Sequence, residues 1–198
     1  MMKKNDNKGF SLIELIIAVT ILAIISATSI MAFGGIFSTK VTAVSKSIQD
    51  ALKQARIDAL GLENINDTGT TYKTTIYAKF YCDDGFMYVD VCSLKPGEEE
   101  SNEKILHSTK LSNDSYNLEF WNEGAAETDP KVSIREGSSN VVKIYFKKST
   151  GGIRGVDFTG ALPADNSGIN YIKVVGPGND NTETVYMVKV TGRCYIDS

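Results

Sequence analysis

Glu14 is the only ionisable side chain in an apolar run from Phe10 to Phe33, and it follows a short polar stretch, Met1–Gly9. A carboxylate in a helix that crosses hydrocarbon costs roughly 2.5 to 3.5 kcal/mol near the centre, so it calls for a partner that relieves it. The chemistry this suggests is pairing with a cation. Catalysis finds little foothold elsewhere: His107 is the sole histidine, in a polar stretch where a surface position is expected. No serine or cysteine neighbours a base in a recognisable nucleophile motif. No enzyme activity and no cofactor are expected.

Cys82, Cys92 and Cys194 form an odd set, so at least one stays a thiol or pairs between chains. A tight turn at Asp83-Asp84-Gly85 would set Cys82 near the turn and Cys92 several residues along, not facing each other, while Cys194 could bridge either. Three buried thiols are the expected arrangement. The segment Gly176-Pro177-Gly178-Asn179-Asp180-Asn181-Thr182-Glu183 gathers oxygen side chains of the kind calcium uses. It lacks the spacing of a known calcium loop, and turn chemistry accounts for the same residues, so no metal site is assigned. Lys143, Lys147, Lys148 and Arg154 make the densest basic group in a chain of formal net charge -3. Tracking phosphates needs more clustered cations than that, so nucleic acid is not an expected partner.

These residues need elements to hold them. As a helix, the 24 residues from Phe10 to Phe33 would reach about 36 Å, against a hydrocarbon core of roughly 30 Å, which predicts a membrane span. Ser11, Thr20, Ser26, Thr28 and Ser29 can return their hydroxyls to carbonyls of the preceding turn. Lys3, Lys4 and Lys8 against Asp6 place the N-terminus in the cytoplasm and the C-terminal part outside. The run is too long for an ordinary secretory signal with its apolar region of about 7 to 15 residues.

Lys8-Gly9-Phe10-Ser11-Leu12-Ile13-Glu14-Leu15 resembles the class III signal of type IV pilins and type II secretion pseudopilins. The resemblance implies that a prepilin peptidase cuts after Gly9 and that Phe10 becomes the N-methylated first residue. It puts Glu14 at the family's acidic assembly position, where the carboxylate pairs with the terminal amine of a neighbouring subunit. An amine and a carboxylate are each costly alone in lipid, and each relieves the other only when subunits stack in register. Other pilin or pseudopilin subunits and an inner-membrane assembly platform are the partners implied. Most major type IV pilins carry a proline where this chain has Met31, so local melting of the helix is not carried over.

Gly34 and Gly35 weaken a helix by roughly 1 kcal/mol each relative to alanine and predict a hinge. Beyond it, Val41, Val44, Ile48, Leu52, Ala55, Ala59 and Leu62 recur at three- and four-residue spacing, with Lys46, Gln49, Asp50, Lys53 and Arg56 on other faces. That is an amphipathic helix able to lie on a sheet. From Gly61 onward, short β-rich runs alternate with turn residues. Strands are expected at Tyr72–Cys82, Phe86–Leu94, Tyr116–Trp121, Val141–Lys148, Ile169–Val175 and Val185–Thr191, with a short last one through Cys194–Ile196. Asp83-Asp84-Gly85 reads as a hairpin turn and Lys95–Asn102 as an exposed loop. The expected fold is α+β, with a long N-terminal helix packed on a mostly antiparallel β-sheet head, the lollipop shape typical of pilins. Its divisions are leader 1–9, membrane and assembly half 10–33, amphipathic half 34–62 and extracellular head 63–198. Losing residues 1–9, with three lysines and one aspartate, would take the formal charge from -3 to about -5.

A second resemblance lies in the head. Ser47–Ala59, with Ala55-Arg56, is similar to the helix end of H-type minor pseudopilins and FimT-like minor pilins. Val142-Lys143-Ile144-Tyr145-Phe146 followed by Gly151-Gly152 resembles their strand-then-glycine segment, and Val188–Ile196 their closing hairpin with its Gly192-Arg193 turn. Some FimT-like proteins bind DNA through a basic tail. This chain ends Tyr195-Ile196-Asp197-Ser198, so that property is not carried over. A pilus subunit, a secretion pseudopilin and a DNA-uptake competence pseudopilin remain open, as does a membrane-anchored binding module that never polymerises.

Overall fold

The apolar run and the amphipathic stripe form one helix, α1 (Leu12–Gly61). The computed structural model describes residues 12–61, 64–65, 71–72, 74–113, 115–121, 132–135, 137–159, 169–178 and 181–197, with backbone alone for 26–39, 64–65, 71–72, 100, 113 and 159. The chain divides into two compact units at Phe37–Ser38. The hinge expected at Gly34-Gly35 does not interrupt α1, whose helical backbone runs through both glycines. Helix propagation is cooperative, and a cost of about 1 kcal/mol per glycine is small against the many turns on either side.

In the first unit the side chains from Leu12 to Ile25 are all exposed. The Thr20 hydroxyl donates back to the carbonyls of Ile16 at 2.9 Å and Ile17 at 2.8 Å, which satisfies it within the helix. Among the described residues no helix is long and apolar enough to cross a membrane.

In the second unit the helical stripe is buried as its spacing predicts, through Val41, Val44, Ile48, Leu52, Ala55 and Ala59, joined by Ser45 and Ala51. Leu62 lies outside the described residues. Among the described residues twelve strands follow: β1 (Asn64–Ile65), β2 (Thr71–Tyr72), β3 (Thr75–Asp83), β4 (Phe86–Leu94), β5 (Lys104–Asn113), β6 (Asn117–Trp121), β7 (Val132–Ile134), β8 (Val141–Phe146), β9 (Ile153–Thr159), β10 (Tyr171–Val175), β11 (Thr182–Val188) and β12 (Arg193–Asp197). Sheet I has the order β5-β4-β3-β8-β9 and sheet II the order β12-β11-β10-β6-β7, with β1-β2 as a small ribbon. Every pairing is antiparallel. The fold class is α+β, as expected.

Period-two alternation sorts each strand. In β3, Ile76, Ala78 and Phe80 enter the core, while Tyr77, Lys79 and Tyr81 take the outer face. Phe80 of sheet I meets Phe120 of sheet II edge-to-face, with ring centroids 5.4 Å apart. Helix α1 touches an outer strand of each sheet. Its Asp58 lies 3.4 Å from His107 on β5, and its Gln49 donates to the Cys194 carbonyl on β12 at 3.0 Å.

Asp84-Gly85 makes the two-residue turn between β3 and β4, with φ 45° and 72°. Positive φ at both central positions suits the right-handed twist of the flanking strands, as the expected hairpin turn requires. The loop after Leu94 is exposed, turning at Pro96-Gly97 and closing with a 3-10 turn at Glu100–Asn102. Several strand limits need correction. The run expected at Tyr72–Cys82 divides into β2 and β3, and the Val141 strand stops at Phe146 because residues 147–150 turn. The strand expected at Val185–Thr191 begins at Thr182 and ends at Val188, before a turn that closes at Gly192 with φ 64°.

Candidate functional site

Glu14 stands exposed in the first turn of α1. Leu12, Ile13, Leu15, Ile16 and Ile17 around it are each more than half exposed, from 52% to 77%. A negative charge in the first turn of a helix is also favoured by the helix dipole. The carboxylate is therefore presented on an apolar surface able to receive another chain. Gly9 and Phe10, the expected cleavage and methylation positions, lie outside the described residues.

In the head, the three segments that carry the second resemblance meet in space. Arg56 on α1 donates from Nε to the Thr191 carbonyl at 2.6 Å. The β8–β9 turn lies against the β11–β12 turn, with the Ile153 amide donating to the Lys189 carbonyl at 2.8 Å. Side chains would not fit there: a Cβ on Gly152 would lie 2.4 Å from the Val190 oxygen, and one on Gly192 only 1.9 Å from the Gly151 oxygen. A Cβ on Gly151 would fall 2.8 Å from Arg56 Cγ. Arg56, Gly151, Gly152 and Gly192 thus clasp the helix end to a turn of each sheet.

The outer face of sheet I holds a second cluster. Lys79 and Lys143 are register partners on β3 and β8, and Lys143 is only 5% exposed. Like charges directly opposite each other repel. Glu103 answers them, accepting from Lys79 Nζ and from the Tyr77 hydroxyl. Burial alone would raise the Glu103 carboxyl, but the bonds from Lys79 and Tyr77, with the charge of Lys143, hold it below the usual range. Beside them the Tyr81 hydroxyl donates to buried Asp90 at 2.8 Å. Tyr77 and Tyr81 are raised, first by burial and then by Glu103 and Asp90 respectively. The arrangement sets two carboxylates against two lysines within the fold.

The remaining candidates separate. Cys82 pairs with Met87 and Cys92 with Tyr77 in the β3–β4 register, so they do not face each other, and all three cysteines are thiols. Cys92 is buried, whereas Cys82 and Cys194 are half-buried, which corrects the expectation of three buried thiols. Of the basic group, Lys147 and Arg154 are exposed and Lys148 is half-buried, but Lys143 is buried. Its ammonium lies 5.7 Å from the Tyr77 ring centre instead of on a solvated face. His107 is exposed as expected, on β5. Asn179 and Asp180 lie outside the described residues, among which no group of His, Cys, Asp or Glu is placed to hold a metal ion.

Residues 4–30 match the family described as the prokaryotic N-terminal methylation motif. The chain carries the leader signal of type IV prepilins. No curated protein and no solved structure matches it. The prepilin leader implies processing by prepilin peptidase and assembly with other pilins. It points to a structural subunit, and it suggests membrane anchoring followed by entry into an extracellular filament.

Two features of the head escape a linear reading. The Lys79–Glu103–Lys143 cluster joins residues from three segments, and its one sequence signal is Tyr77-Ala78-Lys79-Phe80-Tyr81, with aromatic residues on both faces of a strand. The clasp has short, separated signals in Arg56, Gly151-Gly152 and Gly192. Nothing local in them says that they meet.

Proposed function

We propose that the chain is a minor pilin or pseudopilin with a pilin-like fold. It is cleaved between Gly9 and Phe10, N-methylated at Phe10 and held in the cytoplasmic membrane through the run to Phe33, with its head outside. It then assembles into a type IV pilus or type II secretion-like filament. The observation that carries this reading is the methylation motif at residues 4–30 with Glu14 exposed on the apolar surface of a long helix. Glu14 takes the terminal amine of the neighbouring subunit, an exchange that leaves neither charge alone in lipid. The buried stripe from Val41 to Ala59 supports an α1 whose second half is fixed to the head. The meeting of Arg56, Gly151-Gly152 and Gly192 supports the H-type or FimT-like branch.

Coexpression with a prepilin peptidase and an inner-membrane assembly platform, followed by intact-mass and N-terminal peptide mass spectrometry, tests the reading. A mature terminus at methylated Phe10 is expected. Glu14→Ala should still be cleaved yet be lost from sheared filaments. An uncut chain in the presence of active peptidase would leave a plain membrane anchor, and normal incorporation of Glu14→Ala would remove the carboxylate from assembly.

A further inference from the structure

The outer face of sheet II carries a row of aromatic rings in register across four strands: Trp121 on β6, Tyr171 on β10, Tyr186 on β11 and Tyr195 on β12. Their centroids are spaced 6.1, 5.5 and 5.2 Å, with the first and last pairs stacked within 10° of parallel. Cross-strand aromatic pairs stabilise a sheet wherever they occur, which accounts for buried Trp121 and half-buried Tyr171 and Tyr186. It also holds Tyr195 against Tyr186 but leaves much of that ring in water. That ring ends the row on an outer strand and is 52% exposed.

Beside the row lies a groove of about 410 Å³ lined by Asn170, Tyr171, Tyr186, Val188, Lys189 and Tyr195. Arg193, the register partner of Val188, stands exposed on the same face. Aromatic rings, an amide and phenolic hydroxyls suit a ligand with an apolar C–H face and a rim of hydroxyls, which is a sugar ring. Asp197 lies on the same face beyond Tyr195, away from Val188, while Lys189 and Arg193 stand at the Val188 end beside the groove, and a positive sign there favours an anion. We propose that this face binds an acidic saccharide, with Tyr195 against the sugar ring, Asn170 and the tyrosine hydroxyls bonding its hydroxyls, and Lys189 and Arg193 facing its carboxylate. The site is independent of how the leader is processed.

The test is calorimetric titration of the full chain, in a zwitterionic detergent without a sugar headgroup, with oligogalacturonate and with a neutral cello-oligosaccharide. Oligogalacturonate should bind, more weakly as salt rises, and the neutral sugar at least tenfold more weakly. Tyr195→Ala should weaken binding at least tenfold, Tyr195→Phe less than threefold, and Lys189→Glu at least tenfold, each variant keeping its far-UV circular dichroism. Absence of binding by the wild-type chain would overturn the proposal, as would equal binding of the neutral sugar or unchanged binding by the alanine variant. A concentration-dependent dimer lost in Tyr195→Ala, without sugar binding, would instead make this face a contact between copies. Should Tyr195→Ala fail to fold, Tyr195→Phe and Lys189→Glu still decide.

Discussion

Glu103 shows how one side chain holds a charged cluster together. Its carboxyl lies below the unfolded value of about 4.3 because two donors outweigh burial. A depressed carboxylate contributes its full stabilisation above the unfolded value and loses it as pH falls through the folded one. Wild-type melting temperature should therefore drop as pH is lowered below about 4, and Glu103→Gln should flatten that drop. The same variant should cost about 1–3 kcal/mol at pH 7, since it removes the charged acceptor of the Lys79 and Tyr77 bonds beside buried Lys143. Urea titrations at pH 7 and 3.5 would show both effects, and an equal loss at the two pH values would remove Glu103 from the acid response. The thiols are tuned in the other direction. Burial, then Glu103 and Asp90, push Cys92 up to about 12, and burial pushes Cys194 to about 12 despite Lys53 and Arg56. Only the thiolate attacks iodoacetamide, so at pH 8 both should react at least a hundredfold more slowly in the native chain than in urea. Intact mass should be the same with and without reductant; a two-dalton difference would reveal a disulfide.

At the scale of elements, the clasp makes a graded prediction. Gly192 combines a φ of 64° with a Cβ position 1.9 Å from the Gly151 oxygen, and Gly152 faces two carbonyls. Alanine at either should destabilise the head by roughly 2–4 kcal/mol, as a strained backbone or displaced turn would. Gly155 on β9 has open space around its Cβ position, so alanine there should be neutral within about 0.5 kcal/mol. Denaturant midpoints of the three variants check the order, and equal losses at Gly155 and Gly192 would mean that close approach is not the cause. This contrast also marks what the sequence makes legible. Asp84-Gly85 was readable because its turn chemistry is local, and the stripe from Val41 to Ala59 because its period is that of the helix. Strand β5, Lys-Ile-Leu-His-Ser-Thr-Lys-Leu-Ser-Asn, was missed because it is an outer strand with most side chains in water and bulges in its pairing. Strand β9 is likewise the outer strand at the other side of sheet I, where alternation is weak, and β7 has only three residues. The clasp was visible as glycines and an arginine but not as a place, because its contacts join residues as distant as Arg56 and Thr191.

For the head as a whole, the question is whether two sheets and a helix unfold as one. Residues from α1, sheet I and sheet II belong to one buried cluster, with Phe80 and Phe120 in contact across it. A single shared core predicts a cooperative transition, and the chain supplies a probe in each sheet. Trp121, the only tryptophan, is buried on sheet II, and Cys92 is buried on sheet I. Tryptophan fluorescence and pulsed alkylation of Cys92 should therefore give the same urea midpoint. Phe120→Ala should cost about 3–5 kcal/mol through the cavity it opens between the sheets. Although Phe120 belongs to sheet II, the loss should move the Cys92 midpoint as far as the Trp121 midpoint, because neither sheet can keep its inner face dry alone. A Cys92 midpoint that stays in place while Trp121 moves would divide the head into two folding units. The clasp at Arg56, Gly151 and Gly192 would then be a hinge between sheets that fold separately, instead of a lock within one.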